Sequence, residues 1–99
     1  VKNNQEEFMI KELTMIYCAI ASIWSGGMTD QMKCQAEANY MLEHRQFRHV
    51  GPTIGNFEGI GWNFSGQLPG TCLPLKRMRL TGDATARKGN IVVRVRSWR

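Results

Sequence analysis

Apolar residues recur in steps of three and four along the first half of the chain and in alternation along much of the second, and the period changes close to residue 57. Steps of three and four line one side of a helix, whereas alternation lines one side of a strand, so helices are expected first and strands after them. Between Gln5 and Trp24 the stripe runs through Met9, Leu13, Ile16, Ile20 and Ile23, widened by Ile10, Tyr17, Ala21 and Trp24. This predicts a well-covered amphipathic helix, stopped at Ser25-Gly26-Gly27 where glycine suits a left-handed C-cap. Thr29 and Asp30 then offer an N-cap and a first-turn acid for a second helix, from about Asp30 to Gln46. Its expected inner face is Met32, Ala36, Tyr40, Met41 and Phe47, with Lys33, Glu37, Glu43 and Arg45 in water, and it is expected to pack on the first helix.

Val50-Gly51-Pro52-Thr53-Ile54-Gly55-Asn56 is a loop by composition, and the helix should end before Pro52. Phe57 to Phe64 reads as a strand with Glu58, Ile60, Trp62 and Phe64 on one face. On the other face Gly59 and Gly61 leave room for a neighbouring backbone to approach. Ser65 to Leu75 has the prolines and glycines of an irregular surface loop. Met78, Leu80, Gly82, Ala84 and Ala86 then alternate with polar residues, Lys88-Gly89-Asn90 turns the chain, and Ile91 to Trp98 returns with β-branched density. The closing hairpin should have an apolar face of Ile91, Val93 and Val95, and a second face carrying Arg94, Arg96 and Trp98.

Ninety-nine residues make one domain. With 42% apolar and 21% charged residues, the composition is globular. The run from Met15 to Trp24 is far short of the roughly 20 apolar residues that cross a bilayer, so no membrane span is expected. No secretory signal pattern is visible at the start, although a chain beginning at Val1 is compatible with removal of an upstream segment. Cys18, Cys34 and Cys72 allow one disulfide with a thiol left over, or none, and form no metal-type pair; Cys18 and Cys34 fit buried helical positions as small apolar residues. The net charge of +5 is unevenly placed: residues 51–99 hold eight Lys or Arg against Glu58 and Asp83, and all eight lie from Lys76 onward. A concentrated positive surface of this kind suits phosphate-rich or acidic partners.

The order of helix, helix ending in Phe47-Arg48-His49, Gly-rich loop, strand starting Phe57-Glu58-Gly59 and closing hairpin resembles a shortened CAP superfamily domain of bacterial or phage type. This is the family of cysteine-rich secretory, antigen 5 and pathogenesis-related proteins. Ala38 and Met41 match the family's early helix. Thr81-Gly82-Asp83-Ala84-Thr85-Ala86-Arg87 with Val92-Val93-Arg94-Val95 is similar to its closing strand pair. The resemblance implies an α+β fold in which two N-terminal helices pack on a small antiparallel sheet ending in a C-terminal β-hairpin, a minimal CAP-like α-β-α sandwich. It also implies a shallow cavity centred on His49 and Glu58, and a secreted or periplasmic protein. Where family members have a further helix and an H-x-x-N segment, this chain has only Ser65–Leu75, so a two-histidine metal site would need His44 or a second chain in a homodimer.

Nine residues separate His49 from Glu58 across a tight loop, so a helix end and a strand start can bring them within hydrogen-bonding reach. An imidazole held by a carboxylate can bind a ligand, shuttle a proton or hold a metal; the blander role is to tie loop to strand. His44 and Trp62 join them as candidate ligand-binding residues. His44 and His49 are about 140° apart on a continuous helix, which argues against one metal between them, so any divalent metal falls to His49 and Glu58. No Ser or Cys nucleophile with a matching base is evident, so His49 and Glu58 are candidates for catalysis only through metal-dependent hydrolysis, and a binding module without enzymatic activity or cofactor is the first expectation. The second is a nucleic-acid or polyanion surface of Arg77, Arg79, Arg87, Lys88, Arg94, Arg96, Trp98 and Arg99, in which basic groups track phosphates and the indole stacks on a base.

Overall fold

Thr29 begins the first described helix as expected: its backbone is extended and its hydroxyl accepts the Met32 N–H at 3.1 Å. The computed structural model describes Trp24 and residues 26–99, so the helix expected over Gln5–Trp24 lies outside the described residues except for Trp24. Helix α1 spans Asp30–His44. It stops two residues short of the expected Gln46 because Arg45 enters the left-handed region at φ 53°. The Gln46 N–H then reaches Met41 O at 2.9 Å and the Arg45 N–H reaches Leu42 O at 3.4 Å, the paired closure of a Schellman motif.

Three antiparallel strands follow: β1 (Phe57–Asn63), β2 (Leu80–Lys88) and β3 (Ile91–Trp98), ordered β1-β3-β2. The fold is α+β, with one described helix packed on this sheet. Hairpin and register follow the alternation: Ile60 pairs with Val95, Trp62 with Val93 and Ala84 with Val95 on the helix side. Ala84, Ala86, Val93 and Val95 meet Cys34, Ala38, Met41 and Leu42 to form the core, joined by Val50 and Ile54 from the loop.

The inner face of the helix agrees with expectation at Met41, and Tyr40 and Phe47 pack against the core, but its centre lies elsewhere. Cys34, Glu37, Ala38, Met41 and Leu42 are the buried positions, whereas Met32 is 52% exposed and Ala36 and Tyr40 are half-buried. Small Cys34 and Ala38 fit where the helix lies close over two strand alanines, so volume decides the phase. Lys33 is also half-buried, with its ammonium 5.0 Å from the centre of the Trp24 ring. Gln31 and Gln35, one turn apart, bond to the backbone of edge strand β2. The Asp83 N–H donates to Gln31 Oε1 at 2.7 Å, Gln31 Nε2 donates to Asp83 O at 2.9 Å, and Gln35 Nε2 donates to Thr85 O at 3.0 Å. Satisfying backbone groups on an edge strand blocks pairing with a foreign strand.

On the opposite sheet face Ser65–Leu75 is a strap rather than a free surface loop. A methyl added to Gly61 would overlap Gly70 O, and one added to Gly59 would overlap Cys72 O, so both glycines admit the strap backbone. Arginines hold it there: Arg94 Nη1 donates to Pro69 O at 3.2 Å, Arg96 Nε to Thr71 Oγ1 at 2.8 Å, and Arg87 to Gly66 O. Trp98, expected among exposed cations, is buried against Phe57 with Arg96 over its ring.

Gly61→Ala should reduce stability in urea unfolding by about 1–3 kcal/mol, the usual cost of overpacking, and should expose the strap to proteolysis. Gly70→Ala, whose added methyl meets open space, should leave both measurements unchanged.

The C-terminal residue is tied to the start of the helix. Arg99 binds Asp30 through both carboxylate oxygens, at 2.7 and 3.1 Å, and holds its carboxyl down at about 2. A carboxyl held low stabilises the fold above its ordinary range, and that contribution fades as pH falls from about 4 towards 2. Acid unfolding followed by circular dichroism should therefore be flatter over this window in Asp30→Asn than in the parent.

Candidate functional site

Three elements meet where the helix, the loop after it and the start of β1 come together. The loop leaves the helix at Arg45, carries His49 outward and Val50 and Ile54 into the core, and returns as Phe57 opens β1. Glu58 is the second residue of β1 and points to the helix side, opposite Ser97 of β3. Its carboxylate fixes the loop at two points. The Ile54 N–H donates to Oε1 at 2.9 Å, and His49 Nδ1 lies 2.9 Å from Oε2. The Glu58 side chain is 2% exposed and that of His49 is 54% exposed, so the pair runs from the interior to the surface. The two residues are neighbours, as their spacing predicts.

Glu37, expected in water, completes the cluster instead. It is fully buried on the sheet side of the helix, where the Val50 N–H approaches Oε1 at 3.4 Å. Its Oε2 is sealed from water, and the Glu37 carboxyl, holding its proton, is hydrogen-bonded to the adjacent Glu58 carboxyl. Burial, followed by the adjacent Glu58 carboxyl, pushes the Glu37 carboxyl up to about 9. One ligand-capable atom from each of Glu37, His49 and Glu58 lies within 4.8 Å of the other two. Helical phase alone could have raised Glu37 as a candidate: it stands three residues after Cys34 and four before Met41, inside the buried stripe.

The other expected site residues are arranged differently. His44 is exposed and lies against Tyr40, with ring centroids 4.1 Å apart, and is not part of the Glu37–His49–Glu58 cluster. Trp62 lies farther along the β1 face that carries Glu58, is exposed, and stacks on Phe47 at 5.7 Å, while Phe64 meets Phe47 edge-on at 5.4 Å. Phe47, two residues before His49 in the chain, is half-buried against the core and gathers Trp62 and Phe64 into one aromatic cluster. A groove of about 410 Å³ continues from Trp62 to Pro69 and Gly70 of the strap.

Most of the expected polyanion surface is occupied by internal contacts. Arg94 forms a two-pronged pair with Asp83 at 2.7 and 2.9 Å, Arg99 is held by Asp30, and Arg87 and Arg96 bind the strap. Arg77, Arg79 and Lys88 are exposed. Cys34 is buried, with Sγ 3.5 Å from Ser97 Oγ, and burial raises its thiol to about 11, while Cys72 is exposed in the strap; both are free thiols. Among the described residues no helix is long and apolar enough to cross a membrane.

No protein-family model, curated protein or solved structure matches the chain.

Removing the Glu58 carboxyl should leave the buried Ile54 N–H without its acceptor, at a cost of about 1–3 kcal/mol. Glu58→Ala is therefore expected to lower the urea midpoint clearly. Glu58→Gln, which keeps a carbonyl oxygen for Ile54, should lose less, and the difference between the two variants measures the anchor.

Proposed function

We propose that the chain is a small binding domain without enzymatic activity, whose ligand is met at the His49 imidazole and the neighbouring Phe47–Trp62–Phe64 surface. The observation that carries this reading is the combination of a half-exposed histidine ring with a buried carboxylate that holds it from behind. A ring oriented in this way presents a polar group to solvent at little ordering cost, and the aromatic surface offers an apolar face beside it. A molecule joining a polar or anionic group to a flat apolar body has the matching chemistry. Binding is favoured over catalysis because the two described thiols are used elsewhere: Cys34 faces Ser97, and Cys72 lies in the strap across the sheet.

Assignment to a shortened CAP-like sandwich, with a second N-terminal helix over Gln5–Trp24 and an exported location, belongs to the same proposal. It is supported by the order of Phe47-Arg48-His49, loop and Phe57-Glu58-Gly59, and by the contact between His49 and Glu58.

Benzoate serves as a minimal probe, titrated into labelled protein while backbone amide resonances are followed. Shifts should cluster around His49, Phe47 and Trp62 and weaken at least about tenfold in His49→Ala or Trp62→Ala, a loss of about 1.4 kcal/mol. Shifts confined to Arg77–Lys88, produced by heparin and not by benzoate, would instead favour the polyanion surface; no response to benzoate would remove the small-ligand reading.

A further inference from the structure

We propose that the groove at one end of the outer sheet face, between the start of β1 and the segment 74–78, is a docking site for an acidic peptide that carries apolar side chains. Strand register builds its floor. Phe57 and Leu80, on the two flanking strands, both pair with Trp98, so the three side chains stand in one row. That row lies on the strap side of the sheet, since Trp98 shares a face with Arg96, which lies over its ring and binds Thr71 of the strap. Phe57 meets Trp98 edge-on, with ring centroids 5.6 Å apart, and the indole is buried there. The chain running from the strap to β2 passes beside the row. Phe57, Pro74, Leu75 and Met78 thereby line a groove of about 590 Å³, with Asn56 and Lys76 at its polar positions. Around it Leu73 is 63% exposed, Leu80 is 48% exposed and Leu75 is wholly exposed. Apolar side chains gathered at a surface in this way mark a place of association.

Electrostatics select the partner. Lys76, Arg77 and Arg79 are exposed, and among the described residues none of them pairs with a carboxylate. Residues 59–82 include no Asp or Glu. Arg94 and Arg99, by contrast, are each held by an aspartate. Unpaired cations at the rim of an apolar groove match carboxylates that flank apolar side chains. Cations spread over residues 76–79 call for more than one anionic group, which a peptide supplies and a single-acid molecule does not. A bilayer surface is flat, whereas these apolar atoms line a concavity, so a side chain inserted from a peptide fills it better. The groove lies across the sheet from His49 and is independent of the ligand surface described there.

The probe is a fluorescein-labelled peptide of sequence Glu-Glu-Leu-Leu-Glu-Glu, titrated into the full chain while anisotropy is followed at low and at moderate salt. Saturable binding that weakens with salt is expected, and Glu-Glu-Ser-Ser-Glu-Glu should bind at least about tenfold more weakly. Leu75→Ser and Lys76→Glu should each weaken the leucine peptide by at least about tenfold. Lys88→Glu, which makes the same charge change at the far end of β2, should leave its affinity unchanged. All three positions are exposed, so these variants keep the core. No binding at low salt would overturn the proposal. Equal affinity for the leucine and serine peptides, or equal losses in Lys76→Glu and Lys88→Glu, would also overturn it by showing a diffuse positive surface. Two rival occupants are checked with the same variants. Co-sedimentation with phosphatidylserine vesicles, lost in Leu75→Ser and found in place of peptide binding, would assign the face to a membrane. A dimer seen by analytical ultracentrifugation, abolished by Leu75→Ser and again found in place of peptide binding, would assign it to a second copy of the chain.

Discussion

The Glu58 carboxylate determines how the loop between helix and sheet is held. Its two oxygens receive the Ile54 N–H and the His49 ring, so one side chain fixes both a buried point of the loop and an exposed one. An isolated carboxylate at this depth would be strongly unfavourable, and these bonds offset the loss of water. The same placement brings Glu58 against Glu37, and two carboxyl groups at close quarters resist joint ionisation. Glu37 accordingly holds its proton far above the normal range, with burial as the larger cause. Helix, loop and strand therefore converge on a buried polar cluster, and this is an unusual use for interior space in a domain of 99 residues.

The outer face of the sheet follows a different logic. Arg94, Arg96 and Arg87 reach across it to the strap, and Asp83 neutralises Arg94 from the neighbouring strand. Ion pairs this close to solvent contribute modestly to stability, but their directional bonds fix where Gly66, Pro69 and Thr71 lie. Close approach of the strap is possible only because β1 presents Gly59 and Gly61 there. Arginine density, strand glycines and the turns of the strap thus form one arrangement, and much of the positive charge works inside the molecule.

The sequence made the change of period, the Thr29 cap, the hairpin and the proximity of His49 to Glu58 legible, because each depends on neighbours within a few residues or on a short loop. The phase of the helix was less legible. Cys34 and Ala38 contribute little to an apolar stripe, Glu37 interrupts it, and the larger Met32 draws the eye to the wrong side, whereas Tyr40 lies half-buried at the border of the core. Tertiary packing reverses that choice, because strand alanines favour a close helix face lined by small residues. The roles of the arginines were hidden for a related reason: Asp83, Asp30 and the strap carbonyls are brought to them only by the folded sheet. The two glycines on one face of β1 were the single readable sign that a backbone would lie there.

Binding at the His49 cluster would be linked to the stability of the whole fold, because the residues involved come from three separate elements. Glu37 belongs to the helix, His49 to the loop and Glu58 to the central region of the sheet through β3. In the unfolded chain these groups are not assembled, so a ligand that bridges them binds the native state and shifts the folding equilibrium toward it. An uncharged ligand contacting only His49 and Trp62 would leave the Glu37–Glu58 opposition in place and stabilise the fold through surface contacts alone.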